Sequence, residues 1–177
     1  RRNGTTRRVA VRTIAPHAVA VSTLLGSAVI PAQRVADEGV FETLLPPGTP
    51  ERLAPLDYRL RIDWQDGNST VAADPYAFLP VLTDFDLHLL AEGTHYHSYE
   101  KMGAHVCEVE GVRGTLFAVW APNALRISVV GDFNGWDGRV HPMRWRGSTG
   151  IWELFLPGLV EGAIYKFEIR SRLGDLP

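Results

Sequence analysis

The stretch "YKFEIRS", Tyr165 to Ser171, sets Tyr165, Phe167 and Ile169 on one side of an extended chain and Lys166, Glu168 and Arg170 on the other. Alternation with a period of two belongs to a strand with one buried face and one wet face. Working outward, comparable short runs occupy residues 8–14, 18–25, 41–45, 58–64, 116–121, 126–130, 151–156 and 165–170, each cut off by Gly, Pro, Asn or Asp. No long helical period competes with them, so the chain is expected to be all-β.

The runs repeat. "IAPHAVAVSTLLG" (14–26) parallels "WAPNALRISVVG" (120–131) at an offset of 106, "FETLLP" (41–46) parallels "WELFLP" (152–157) at 111, and "YRLRIDWQDG" (58–67) parallels "YKFEIRSRLG" (165–174) at 107. Three blocks in the same order, with small drifts between them, indicate two copies of one β-unit whose surface loops differ in length. Each copy has the size of a small two-sheet sandwich, so the expected architecture is two tandem immunoglobulin-like antiparallel β-sandwiches. Residues 1–73 form the expected first copy, 115–177 the second, and 74–114 a partly helical connector in which the alternation fails. A short helix is expected from Asp84, with Gly93 as its stop.

Composition excludes several classes. Of 177 residues, 45% are hydrophobic and 21% charged, which is globular material. Eighteen basic against twenty acidic residues leave a net charge of -2, so nucleic acid is not an expected partner. No apolar run approaches the roughly twenty residues a bilayer span requires, and none has the order of a secretory signal. The single cysteine, Cys107, cannot form an internal disulfide. A cytoplasmic protein without membrane partners is expected.

Candidate chemistry is sparse. His88, His95, His97 and His105 include a His-x-His pair that can face one ion, but they lack the compact Cys/His set of a structural site, and no metal or other cofactor is expected. The pairs Asp84/Asp86 and Glu108/Glu110 resemble acid/base pairs only in composition, and neither a phosphate-cradling loop nor a Gly-x-Ser-x-Gly elbow is present. No catalytic residue is assigned. Trp64, Trp120 and Trp152 lie in or beside strands and are expected in the core or on a sheet face, while Trp145 either is exposed or folds over a sheet edge. Trp136 is different, because "NGWDG" places it directly after Asn-Gly, a tight-turn signal. Either it packs over its own hairpin, or its ring is a platform for the apolar face of a sugar. In the second case Asn134 and Lys166 supply hydrogen bonds to hydroxyls.

Residues 117–171, with W-A-P-N, G-D-F-N-G-W, G-x-W-E-L and Y-K-F in order, closely resemble the family 48 carbohydrate-binding module, in the version found in bacterial 1,4-α-glucan branching enzymes. "DPYAFLPVLTDFDLHLLAEGTHYHSYEKMGAH" (74–105) is similar to the segment that joins the extra N-terminal sandwich of those enzymes to the module. The resemblance implies an α-1,4-glucan or glycogen partner, a glucan platform at Trp136 and Lys166 with Asn134 in the same turn, and a C-terminal (β/α)8 catalytic barrel as a further partner. The barrel's motifs are not in these residues, so the chain alone is expected to be inactive. The second copy is expected to be cut short, because Pro177 corresponds to Thr70. The first copy has Arg59 where the second has Lys166, and no F-N-G-W turn; it is expected to keep the sandwich without the platform. Two alternatives stay open: a purely structural sandwich, and the equivalent region of a debranching or trehalose-forming enzyme.

Overall fold

The computed structural model describes residues 8–171 and 174–175; the outer limits of the two expected copies, residues 1 and 177, lie outside them. The chain divides between Ala77 and Phe78 into two compact units. The first holds β1 (Ala10–Ile14), β2 (Ala18–Leu25), β3 (Ala28–Pro31), β4 (Gln33–Ala36), β5 (Val40–Leu44), β6 (Tyr58–Trp64) and β7 (Ser69–Ala72). They form two antiparallel sheets, ordered β1-β5-β4 and β3-β2-β6-β7. Val11, Ala15, Ala18, Val21, Phe41, Leu45, Tyr58 and Leu60 are buried between them, following the inward positions of alternating strands. Two polar contacts are buried as well. The Thr23 hydroxyl of β2 donates to Thr43 Oγ1 of β5 at 2.9 Å, and the Tyr58 hydroxyl donates to Asp74 Oδ2 at 2.6 Å. Burial first, and the Asp74 carboxylate second, hold the Tyr58 phenol above its ordinary pKa.

The second unit contains α1 (Asp84–Glu92), β8 (Gly103–Val109), β9 (Val112–Trp120), β10 (Ala124–Gly131), β11 (Arg144–Trp145), β12 (Ile151–Pro157), β13 (Tyr165–Ser171) and β14 (Gly174–Asp175). Its sheets run β11-β12-β9-β8 and β10-β13-β14. Phe117, Ile127, Val129, Met143, Trp152, Leu154 and Leu156 fill the space between them. The expected helix is present. Thr83 caps it by accepting from the Asp86 N–H, and Gly93, at φ 74°, ends it.

Part of the stretch expected as a connector is integral to this second unit. Leu82 and Leu87 pack with Ala118 and Ile151 on the face of the β12 sheet away from the core, and β8 pairs with β9 along its length. Beneath this cover lies Glu153, 1% exposed. It accepts from the Val81 and Leu82 N–H groups at 3.1 and 3.0 Å and forms an ion pair with Arg146. Burial of apolar area draws residues 78–102 onto the sheet.

The duplication holds rung by rung. In the first unit β2 pairs with β6 from Ala18↔Trp64 to Leu25↔Tyr58, with a register shift between Ala18 and Ala20. In the second, β10 pairs with β13 from Ala124↔Ser171 to Gly131↔Tyr165, with a shift between Ala124 and Arg126. These are the same positions at offsets 106 and 107. Likewise Thr13↔Phe41 corresponds to Val119↔Trp152, and Arg34↔Phe41 to Trp145↔Trp152. Both units are therefore antiparallel β-sandwiches of one plan.

Candidate functional site

The two copies differ in the hairpin that follows β2 and β10. In the first, Ser22 pairs with Pro31, nine residues on, through the tight turn at Gly26. In the second, the equivalent bridge joins Ser128 to Pro142, fourteen residues on. The five extra residues lie in the turn that carries Trp136.

That turn is built mainly by Asn134. After β10, residues Asp132–Asn134 make one 3-10 turn, and Gly135 and Trp136 both take left-handed φ, 62° and 61°. Glycine bears such a φ at no steric cost, but for a tryptophan it costs of order 1–3 kcal/mol and persists only when surrounding contacts impose it. Here the Trp136 N–H donates to Gly131 O at 2.9 Å and its indole Nε1–H to Asp132 Oδ1 at 2.8 Å. Asn134 Oδ1 accepts from the Gly131 N–H at 3.0 Å. Its amide hydrogens go to Val129 O and His141 Nδ1, both at 2.9 Å. Arg139 closes on Asp137 at 2.6 Å.

Trp136 thus sits between the two arrangements open to it from sequence. Its N–H edge is tied down, yet the residue is 41% exposed. Asn134 lies beside it but has neither amide hydrogen left for a ligand; it builds the turn. Lys166 is exposed on β13 opposite Val130, and no hydrogen bond or ion pair engages its ammonium among the described residues. Glu168, two residues along on the same face, pairs with Arg126 of β10. The turn lies over this carboxylate, since a Cβ added to Gly138 would fall 2.3 Å from Glu168 Oε1. Lys166 therefore shares the outer face of the β10-β13 sheet with Glu168, and the turn that carries Trp136 passes over that face at Gly138. Asp132 and His141 hold Trp136 and Asn134 in this turn without having been singled out from sequence, where the Asp132/Trp136 spacing of four was the available hint.

The remaining candidates disperse. His95 Nε2 lies 3.3 Å from Asp86 Oδ1, His88 3.4 Å from Glu92, His97 3.3 Å from Glu100, and His105 2.8 Å from Met102 O. Among the described residues, no three His, Cys, Asp or Glu side chains group as metal ligands. Asp86 caps α1, and its carboxyl lies at about 2: burial opposes this, and hydrogen bonds from Thr83, His95 and Lys101 prevail. Trp152 is core, Trp64 half-buried, and Trp120 and Trp145 are 63% and 62% exposed. No described helix is long and apolar enough to cross a membrane.

Comparison with known proteins locates the chain. Residues 101–176 match carbohydrate-binding module 48 (isoamylase N-terminal domain), and residues 3–76 match the N-terminal domain of the alpha-1,4-glucan branching enzyme GlgB. The chain is 51% identical over 166 residues to 1,4-alpha-glucan branching enzyme GlgB of Paramagnetospirillum magneticum, and 49% identical over 173 residues to that of Rhodospirillum rubrum. Each match covers 94% of this chain and 22% of the relative, so the chain spans about a fifth of the length of these relatives. A solved pullulanase from Anoxybacillus sp. LM18-11, complexed with maltotetraose, aligns with TM-score 0.36 at 15% identity, over 96% of this chain and 22% of that one; this is too loose to bear on the assignment. With both models matched in order and half the residues shared with full-length relatives, the chain belongs to the 1,4-alpha-glucan branching enzyme family, as its N-terminal region carrying a carbohydrate-binding module 48.

Proposed function

We propose that the second sandwich binds linear α-1,4-glucan on the outer face of its β10-β13 sheet, within a longer cytoplasmic protein that branches α-glucans. The exposed ring face of Trp136 stacks on the apolar side of a glucose unit, the Lys166 ammonium donates to a hydroxyl, and Asn134 contributes by holding the turn. The observation that carries this reading is an exposed tryptophan held at φ 61° by its own hydrogen bonds. A residue kept in a costly conformation while its ring stays in water is what a ligand platform requires and what a packing role does not. The chain itself neither cleaves nor transfers glucan; those steps belong to the remainder of the longer protein.

Titration with maltoheptaose, followed by tryptophan fluorescence, tests the site. Trp136→Ala abolishes most of the affinity and leaves the melting temperature within a few degrees of the parent. Unchanged affinity with a large loss of melting temperature would make Trp136 a packing residue. Iodine staining of amylose incubated with the chain stays unchanged; turnover that survives repurification and scales with protein would refute the non-catalytic assignment.

A further inference from the structure

We propose that His141 is a positioning residue for the Trp136 platform: its unprotonated Nδ1 holds the Asn134 amide, the amide holds the turn, and proton uptake at Nδ1 releases both. The consequence for glucan rests on the carbohydrate reading above; the coupling of His141 to the turn does not.

Two backbone groups fix the geometry. The Gly131 N–H can only donate, so the atom 3.0 Å away is the Asn134 oxygen. The Val129 carbonyl can only accept, so the atom 2.9 Å from it is the amide nitrogen. The second amide hydrogen then points at His141 Nδ1, 2.9 Å away, and that nitrogen must carry no proton. The imidazole is the tautomer with its hydrogen on Nε2. His141 is itself anchored, because its carbonyl accepts from the Val129 N–H at 3.0 Å, and Met143 N–H donates to Ile127 O at 2.7 Å. From Asn134 the path continues through Gly131, whose carbonyl takes the Trp136 N–H. A protonated Nδ1 would set two donors face to face with no acceptor between them.

The surroundings favour the neutral ring. Phe133 lies against it, with ring centroids 5.8 Å apart. In the same turn Asp132 is engaged by Trp136 Nε1–H and Asp137 by Arg139. On β10 and β13, Arg126 pairs with Glu168, and Lys166 is an exposed cation. Among the described residues no carboxylate forms an ion pair with the imidazole, and burial lowers it to about 4. A folded pKa below the unfolded value of about 6.5 means the folded chain binds fewer protons across that window. The stabilisation from His141 is complete above the upper value and is lost as pH falls through the lower.

The test follows the Asn134 side-chain amide and the Trp136 indole N–H by NMR from pH 7 to pH 3 in the full chain, with maltoheptaose titrations at pH 6.5 and pH 3. Both signals move with a midpoint near 4, and the maltoheptaose dissociation constant rises about tenfold, as expected one unit below that midpoint. Core methyl signals of Ile151 and Leu154 persist. His141→Asn, which keeps an acceptor oxygen without a titrating proton, retains its affinity and changes less than about twofold over the same range; His141→Gln serves if that variant fails to fold. Flat signals in the parent, the same tenfold loss in His141→Asn, or loss of the core signals together with the turn would overturn the proposal. A normal midpoint without any maltoheptaose response at pH 6.5 would overturn the carbohydrate reading and leave the positioning role standing.

Discussion

At equivalent rungs the two sandwiches carry the same residue type under opposite conditions. Glu42 and Glu153 occupy matching positions on β5 and β12, one rung beyond Phe41 and Trp152. Glu42 reaches across the ladder to Arg12, whose side chain is 71% exposed. Glu153 is enclosed under residues 78–102 and pairs with a largely buried Arg146. The ladder fixes where a side chain starts, and the segment laid over the sheet decides what that side chain must do. The hairpin gives the same lesson: with bridge positions matched, five additional residues turn a tight connection into a hydrogen-bonded turn that carries Trp136.

The largest test addresses the shared core. Trp152 and Phe41 are equivalent and 7% and 3% exposed, so replacing either by Ala costs about 3–5 kcal/mol in denaturant unfolding. A loss at only one of them would break the equivalence of the copies. The glutamates should diverge. Glu153→Ala strands a buried Arg146 and two backbone N–H groups and costs about 3 kcal/mol or more, whereas Glu42→Ala removes a surface pair worth less than about 1 kcal/mol. Equal costs would mean that the cover over Glu153 is unimportant.

A smaller effect is expected at Thr43. Thr43→Val orphans the buried Thr23 hydroxyl and costs about 1–3 kcal/mol, while the double change Thr23→Val with Thr43→Leu, copying Val129 and Leu154 of the other sandwich, costs less than the single one. The smallest effect on stability comes from the hairpin. Replacing residues 131–140 with residues 25–29 should leave thermal unfolding within about 1 kcal/mol of the parent, because loop length itself contributes little. It should also eliminate maltoheptaose binding. Binding that survives the graft would move the site away from Trp136.

Strands with one covered face were legible to within a residue or two. β2 and β6 match their expected ranges at both ends: in β6 apolar residues alternate against polar ones, and β2 is a β-branched-rich run bounded by Pro16 and Gly26. β3, β4 and β7 were not, since almost every residue in them is exposed and no face is marked by apolarity. β8 was hidden for the opposite reason: most of its residues are half-covered, so neither side reads as wet. The motif singled out Trp136, Asn134 and Lys166. That Asn134 spends both amide hydrogens on the turn came only with the closed structure, because its partners are a carbonyl five residues before it and a ring seven residues after it. The exposure of Trp120 was likewise beyond reach, as it depends on how far the cover over β9 extends.

A chain that offers the same rungs twice also offers itself a wrong partner during folding, with a strand of one copy laid into the sheets of the other; misassembly of this kind is a recurrent hazard of tandem domains. The Thr23–Thr43 hydrogen bond opposes it. The positions that face each other as two hydroxyls in the first sandwich are Val129 and Leu154 in the second, both fully buried. A hybrid that set Thr23 against Leu154, or Val129 against Thr43, would seal a hydroxyl in the core without a partner, a cost of about 1–3 kcal/mol at each mismatch. One buried pair of hydroxyls thus acts as a password, admitting each strand to its own half of the duplicated chain.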